Sequence, residues 1–102
     1  VKALRELGVK RIPLRVSGPA HQFPCHYGID FSTKGELIAA RMSVEELRTH
    51  LGLDTLNYLS LEGLLSSTGI ENPADHFCKA CFDGCYPVHF DENLSKHCLE
   101  MK

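Results

Sequence analysis

The sequence predicts an α/β fold, and three observations carry that expectation. A helical stripe of Val1, Leu4 and Leu7 closes at Gly8, where a left-handed C-terminal cap belongs. An alternating stretch follows, with Ile12, Leu14 and Val16 set between Arg11, Pro13 and Arg15. Two capping boxes then precede a second short strand-like stretch at residues 55–59. Helix, strand, helices and strand in that order is the succession of an α/β unit.

Each element has its own signal. Pro13 has no N–H for a ladder, so the first strand is expected at an edge or with Pro13 at its end. Residues 17–24 contain Gly18, Pro19 and Pro24 and read as an irregular loop leading into Cys25-His26-Tyr27-Gly28-Ile29-Asp30. Thr33 and Glu36 make the first capping box, and Leu37 and Ile38 give that helix its apolar face. Ser43 and Glu46 make the second, with Val44, Leu47 and Leu51 as the apolar face and Gly52 as the end. Ser60 is placed to cap a helix bearing Leu61, Leu64 and Leu65 and closing at Gly69. From Ile70 onward Cys, His, Asp and Gly dominate, and helical periodicity returns only as a turn at residues 94–99. There is no internal repeat and no low-complexity segment.

Size and charge narrow the function classes. The chain has 102 residues, 43% hydrophobic and 24% charged, which allows one domain. A chain of this size buries about two-thirds of its unfolded surface against about 1.5 kcal/mol of ordering entropy per residue, so its core needs a supplement, which five cysteines suggest. Eleven basic and thirteen acidic residues are spread along the chain without a basic stripe, which argues against a nucleic-acid partner. No apolar run approaches the roughly 18 residues of a membrane span, and no charged n-region precedes an apolar h-region in the sequence, so no membrane association is expected and the chain reads as soluble and unsecreted. In that setting an odd number of cysteines points to reduced thiols or metal ligands rather than a disulfide framework. Val1 rather than Met opens the chain within a helical stripe, which reads as an excerpt of a longer protein.

The cysteines carry the candidate chemistry. Cys78-Lys79-Ala80-Cys81 is a C-x-x-C, a spacing that lets two thiolates reach one centre. Cys25, at a Pro-preceded turn, is the natural third ligand, with Cys85, Cys98, His76 and His89 as competitors. A thioredoxin-like role needs the motif after a strand and opening a helix, whereas Phe82-Asp83-Gly84 predicts a turn. Spacing alone leaves a metal or cluster site and ordinary buried thiols both open, and it does not separate zinc from iron and sulfur.

Five blocks together resemble a known family. They are Pro24-Cys25-His26-Tyr27-Gly28-Ile29-Asp30, Glu36-Leu37-Ile38-Ala39, Ser43-Val44-Glu45-Glu46, Tyr58-Leu59-Ser60-Leu61-Glu62-Gly63-Leu64-Leu65, and Cys78-Lys79-Ala80-Cys81-Phe82 with Tyr86-Pro87. In this order, over most of residues 1–87, they resemble the amidophosphoribosyltransferases, the glutamine phosphoribosylpyrophosphate amidotransferases of the kind that carries an iron–sulfur cluster. The resemblance implies a larger parent that joins a glutaminase domain to a phosphoribosyltransferase domain. The parent uses glutamine-derived ammonia to displace pyrophosphate from phosphoribosylpyrophosphate, giving 5-phosphoribosylamine for purine synthesis.

By that resemblance the chain is the C-terminal part of a type I phosphoribosyltransferase-like domain with a helical, cysteine-containing tail. Residues 1–30 would end the α/β core and residues 31–102 would form the cluster-binding segment. Cys25, Cys78 and Cys81 would hold a [4Fe–4S] cluster whose fourth ligand lies outside the chain, and the role of the cluster would be structural or oxygen-sensing rather than catalytic. Cys85 departs from the family, where a lysine commonly precedes Tyr-Pro. Asp30 and Leu37 match positions near the phosphoribosyl site and the ammonia passage, although Leu37 on a capped helix also suits a core. The catalytic Cys, the substrate loop and the Mg²⁺ site of the parent would be missing, leaving the chain inactive alone. The parent is expected to be a cytoplasmic homo-oligomer inhibited by purine nucleotides. Two rival readings compete: a zinc module using Cys78, Cys81, Cys25 and one of Cys85 or His89, and a small interaction domain with inert thiols.

Overall fold

Residues 1–30 and 33–89 are described in a computed structural model of the chain. Helix α1 (Lys2–Glu6) is followed by Gly8 at a φ of +86°, the left-handed conformation expected there. Its stripe is not covered, since Val1, Leu4 and Leu7 are all exposed. Arg5 anchors the helix instead. Its guanidinium donates to the carbonyls of Lys10 and Gly52 at 2.7 and 2.9 Å and to Asp54 Oδ2 at 2.8 Å. Asp54 Oδ2 also accepts the Ile12 N–H at 2.6 Å. That N–H, and then the Arg5 guanidinium, hold the Asp54 carboxyl below its ordinary value of 3.8.

Strand β1 (Pro13–Val16) pairs in parallel with β2 (Thr55–Tyr58), with Pro13 opposite Thr55 and Val16 opposite Tyr58. Pro13 occupies the first strand position, where its missing donor costs little. A parallel pair requires a crossover, and here it runs through a 3₁₀ turn (Lys34–Glu36), α2 (Ile38–Arg41) and α3 (Val44–Leu51).

The helix expected from Thr33 is divided. Glu36 does accept the Thr33 N–H at 3.2 Å, but Leu37 is extended at φ −94° and ψ 109° and separates the 3₁₀ turn from α2. Leu37 is buried while Glu36 and Ile38 on either side are exposed. Burying a leucine is worth about 2 kcal/mol. Gly35 costs a continuous helix about 1 kcal/mol relative to Ala, so the break that turns Leu37 inward prevails.

The second box closes as expected. Ser43 Oγ accepts the Glu46 N–H at 3.2 Å, the Glu46 carboxylate accepts the Ser43 N–H at 2.8 Å, and α3 ends at Gly52 with φ +71°. The apolar face is narrower than the periodicity predicts, for Leu47 is buried whereas Val44 and Leu51 are exposed. The left-handed turn at Gly52 folds the chain back, and Leu53 takes the covered position, with its carbonyl accepting from Arg48 Nη1 at 2.8 Å. Ile12, Leu47, Leu53 and Leu56 form the core, flanked by Val16, Met42 and Tyr58. Leu14, expected on the covered side of β1, is 39% exposed.

Helix α4 (Leu61–Ser66) starts at Ser60, whose Oγ accepts the Gly63 N–H at 3.0 Å. A second 3₁₀ turn (Pro73–Asp75) leads to α5 (Ala80–Asp83), which stops at Gly84 with φ +75°. Phe82 and Asp83, expected in a turn, therefore lie in a one-turn helix that Gly84 terminates. The helical turn expected at residues 94–99, and Cys98 within it, lie outside the described residues. No helix among the described residues is long and apolar enough to cross a membrane.

Candidate functional site

The loop carrying Cys25 docks on α5. The N–H groups of Gln22 and Phe23 both donate to the Cys81 carbonyl, at 3.2 and 3.1 Å. Gly84 leaves room for the Phe23 ring, since a Cβ there would lie 2.9 Å from ring carbon Cε1. Lys34 Nζ sits over the same ring, 4.8 Å from its centre, and the His21 and Phe82 rings meet at 4.7 Å.

Tyr86 binds the loop from the other side. Its hydroxyl donates to the Pro24 carbonyl at 2.5 Å, and its ring lies 4.9 Å from that of His26 and 6.2 Å from that of Tyr27. Tyr27 in turn exchanges hydrogen bonds with Val88, its hydroxyl donating to the carbonyl and accepting from the N–H, both at 3.2 Å. Segments 62 residues apart thus make one layer.

Cys25, Cys78, Cys81 and Cys85 form no disulfide with one another; Cys25 and Cys81 are half-buried, and Cys78 and Cys85 are exposed. Burial pushes the Cys81 thiol above its ordinary value of 9.0, and the neighbouring Cys25, Cys78 and Asp83 push it further. Burial likewise raises the Tyr86 hydroxyl, with Cys81, Cys25, Tyr27 and Cys78 adding to it. The three cysteines of the resemblance therefore share one neighbourhood around Tyr86. The Tyr27 N–H donates to Cys25 Sγ at 3.4 Å. Burial and its neighbours disfavour ionisation of Cys81, so capture of a cationic centre there would release its proton.

Cys85 is exposed, its N–H donating to Asp83 Oδ1 at 2.8 Å, and it lines an open cleft of about 410 Å³ with His76, Cys78 and Lys79. Among the described residues no three His, Cys, Asp or Glu side chains are grouped so as to hold a single metal ion. The zinc set of Cys25, Cys78 and Cys81 with Cys85 or His89 is not assembled. A thioredoxin-like arrangement is not formed either, because a 3₁₀ turn rather than a strand leads to α5.

Asp30 is exposed at the end of the Cys25 loop. Leu37 is buried between the 3₁₀ turn and α2, outside the Ile12 cluster. Tyr86 is the residue that sequence reasoning undervalued, since it entered only as part of Tyr86-Pro87. A tyrosine before a proline carries no signal that its hydroxyl will reach a carbonyl 62 residues away.

No family model matches the chain. The amidophosphoribosyltransferase of Synechocystis is 47% identical over 88 residues, covering 86% of this chain and 17% of that protein. The Bacillus subtilis amidophosphoribosyltransferase is 43% identical over 103 residues, covering 98% of this chain and 22% of its own length. Among solved structures, the B. subtilis glutamine phosphoribosylpyrophosphate amidotransferase complexed with ADP and GMP superposes with a TM-score of 0.79 at 44% identity, over 90% of this chain and 21% of that one. A structure described as the allosteric regulatory enzyme of purine biosynthesis gives 0.77 at 43% identity, over 90% of this chain and 20% of that one. The chain thus spans about a fifth of the length of these relatives. Sequence and fold agree along nearly all of its residues, so the chain is similar to a stretch that makes up about a fifth of these amidophosphoribosyltransferases.

Proposed function

We propose that this chain is the carboxyl-terminal part of an amidophosphoribosyltransferase that makes 5-phosphoribosylamine from glutamine-derived ammonia and phosphoribosylpyrophosphate, and that it supplies the cysteine fastening of that enzyme. Glutaminase chemistry, the substrate loop and the Mg²⁺ site belong to the other four-fifths of the protein, so the 102 residues have neither activity alone. Asp30 serves near the phosphoribosyl site and Leu37 walls the ammonia passage, where an apolar side chain keeps neutral ammonia from water. The whole enzyme is a cytoplasmic homo-oligomer inhibited by purine nucleotides, a reading supported by the B. subtilis relative, solved with ADP and GMP.

One observation carries the cluster reading: Cys25, from a distant segment, and Cys78 both lie within electrostatic reach of Cys81 and of Tyr86. A single tetrahedral ion at about 2.3 Å from each sulfur needs sulfurs about 3.8 Å apart. A [4Fe–4S] cluster spreads its iron over a cube and takes thiolates that stand further apart. When bound, the cluster supplies a covalent tie between the Cys25 loop and α5, with a fourth ligand from outside this chain. The exposed Val1, Leu4 and Leu14 are surface that the remainder of the enzyme covers.

The test is the whole enzyme purified without oxygen. Iron with acid-labile sulfide is expected, with loss of both in Cys25→Ser, Cys78→Ser and Cys81→Ser and retention in Cys85→Ser. Tightly held zinc without sulfide would remove the cluster from this reading. Phosphoribosylamine formation by the 102 residues alone would remove the division of labour.

A further inference from the structure

We propose that Tyr86 is a positioning residue for the cluster: its hydroxyl on the Pro24 carbonyl fixes the Cys25 loop where its thiol can share a centre with Cys78 and Cys81. This rests on the cluster reading above and goes beyond it by assigning a role to a residue that is not a ligand.

The contacts bracket Cys25. Before it, the Pro24 carbonyl accepts from the Tyr86 hydroxyl at 2.5 Å; after it, the His26 and Tyr27 rings pack on the Tyr86 ring at 4.9 and 6.2 Å. The other ties of this loop to α5 act further upstream, at the amides of Gln22 and Phe23. The Pro24 carbonyl and the nitrogen and Cα of Cys25 lie in one planar peptide unit, so fixing that oxygen restrains Cys25 directly. Tyr86 lies five residues beyond Cys81 in the same short segment, so one side chain gauges the separation between the two halves of the ligand set. A ligand loop held in place before binding loses less freedom when the centre is captured. Partners that orient metal ligands change metal affinity by about 10- to 100-fold when removed.

The conservative variant Tyr86→Phe keeps the ring and removes the hydroxyl. In the whole enzyme, purified without oxygen, it is expected to assemble the cluster and to release iron to a ferrous chelator about tenfold faster than the wild type. The electron paramagnetic resonance spectrum of the reduced cluster should shift as the Cys25 ligand relaxes. Tyr86→Leu, which also removes the ring, should release iron faster still. Ser43→Ala, which weakens the distant α3 cap, controls for general instability and should leave both readouts at wild-type values. Wild-type release and spectrum in Tyr86→Phe would overturn the proposal, as would equal acceleration by Ser43→Ala.

Hydrogen exchange separates this inference from the reading beneath it. If the wild type holds no iron, the cluster reading fails. The amides of His26 and Tyr27 then decide the strut: faster exchange in Tyr86→Phe supports it, and unchanged exchange overturns it.

Discussion

The sheet unit and the thiol layer of this chain are held together by different physics. Between Ile12 and Tyr58 the chain closes a parallel strand pair over four buried side chains, Ile12, Leu47, Leu53 and Leu56. Between the Cys25 loop and residues 78–88 the ties are two amides on one carbonyl, two tyrosine hydroxyls and a few ring contacts. The first region draws its stability from area removed from water, which is non-directional and tolerant of small displacement. The second depends on directed contacts worth about 1 kcal/mol each, so it fixes geometry without supplying much stability. A structural metal centre is useful in a region of the second kind, because binding energy there becomes folding energy.

The largest expected effect breaks the first region. Leu56→Ala empties a side chain that is 6% exposed and should cost about 2–5 kcal/mol, read as a lower urea midpoint. Gly84→Ala attacks the second. Its φ of +75° disfavours any side chain, and the added Cβ would lie within about 3 Å of the Phe23 ring. A cost of about 1–3 kcal/mol is expected, concentrated locally, so the Gln22 and Phe23 amides should exchange faster while the β1–β2 amides keep their protection. Equal loosening of both would show that the two regions unfold as one.

The smallest effect concerns acid. The folded-state value of Asp54 lies below 3.8 because the Ile12 N–H and Arg5 bond the ionised carboxylate. Its stabilisation is therefore complete above that ordinary value and is lost as pH falls through the lower, folded one. Asp54→Asn should be less stable than the wild type at neutral pH, with the gap between their urea midpoints closing below pH 3.8. A gap independent of pH would show that the carboxylate charge contributes nothing at this junction.

The same division governs what was legible in the sequence. Both strands, the Ser43–Glu46 box, the Ser60 cap and the left-handed Gly8, Gly52 and Gly69 are local features that follow from turn and cap chemistry. Leu37 was harder, because a capping box and an apolar pair predict one helix, and only the pull of burial on a single side chain divides it. Exposure of Leu14 and Leu51 was not legible either, since periodicity tells which residues share a face and not whether anything covers it. At the site, spacing joins Cys78 to Cys81, and the Pro-preceded turn marks Cys25 as the natural third, but only the family resemblance selects it over its competitors. The contact of Tyr86 with Pro24 spans 62 residues and has no local signal.

The placement of the tyrosines gives the chain a natural optical division. It contains no tryptophan and three tyrosines, of which Tyr58 flanks the apolar core while Tyr27 and Tyr86 pack together beside the thiols. An iron chromophore bound by Cys25, Cys78 and Cys81 would darken Tyr27 and Tyr86 by energy transfer more than Tyr58. Progressive loss of iron would then appear as recovered light from Tyr27 and Tyr86.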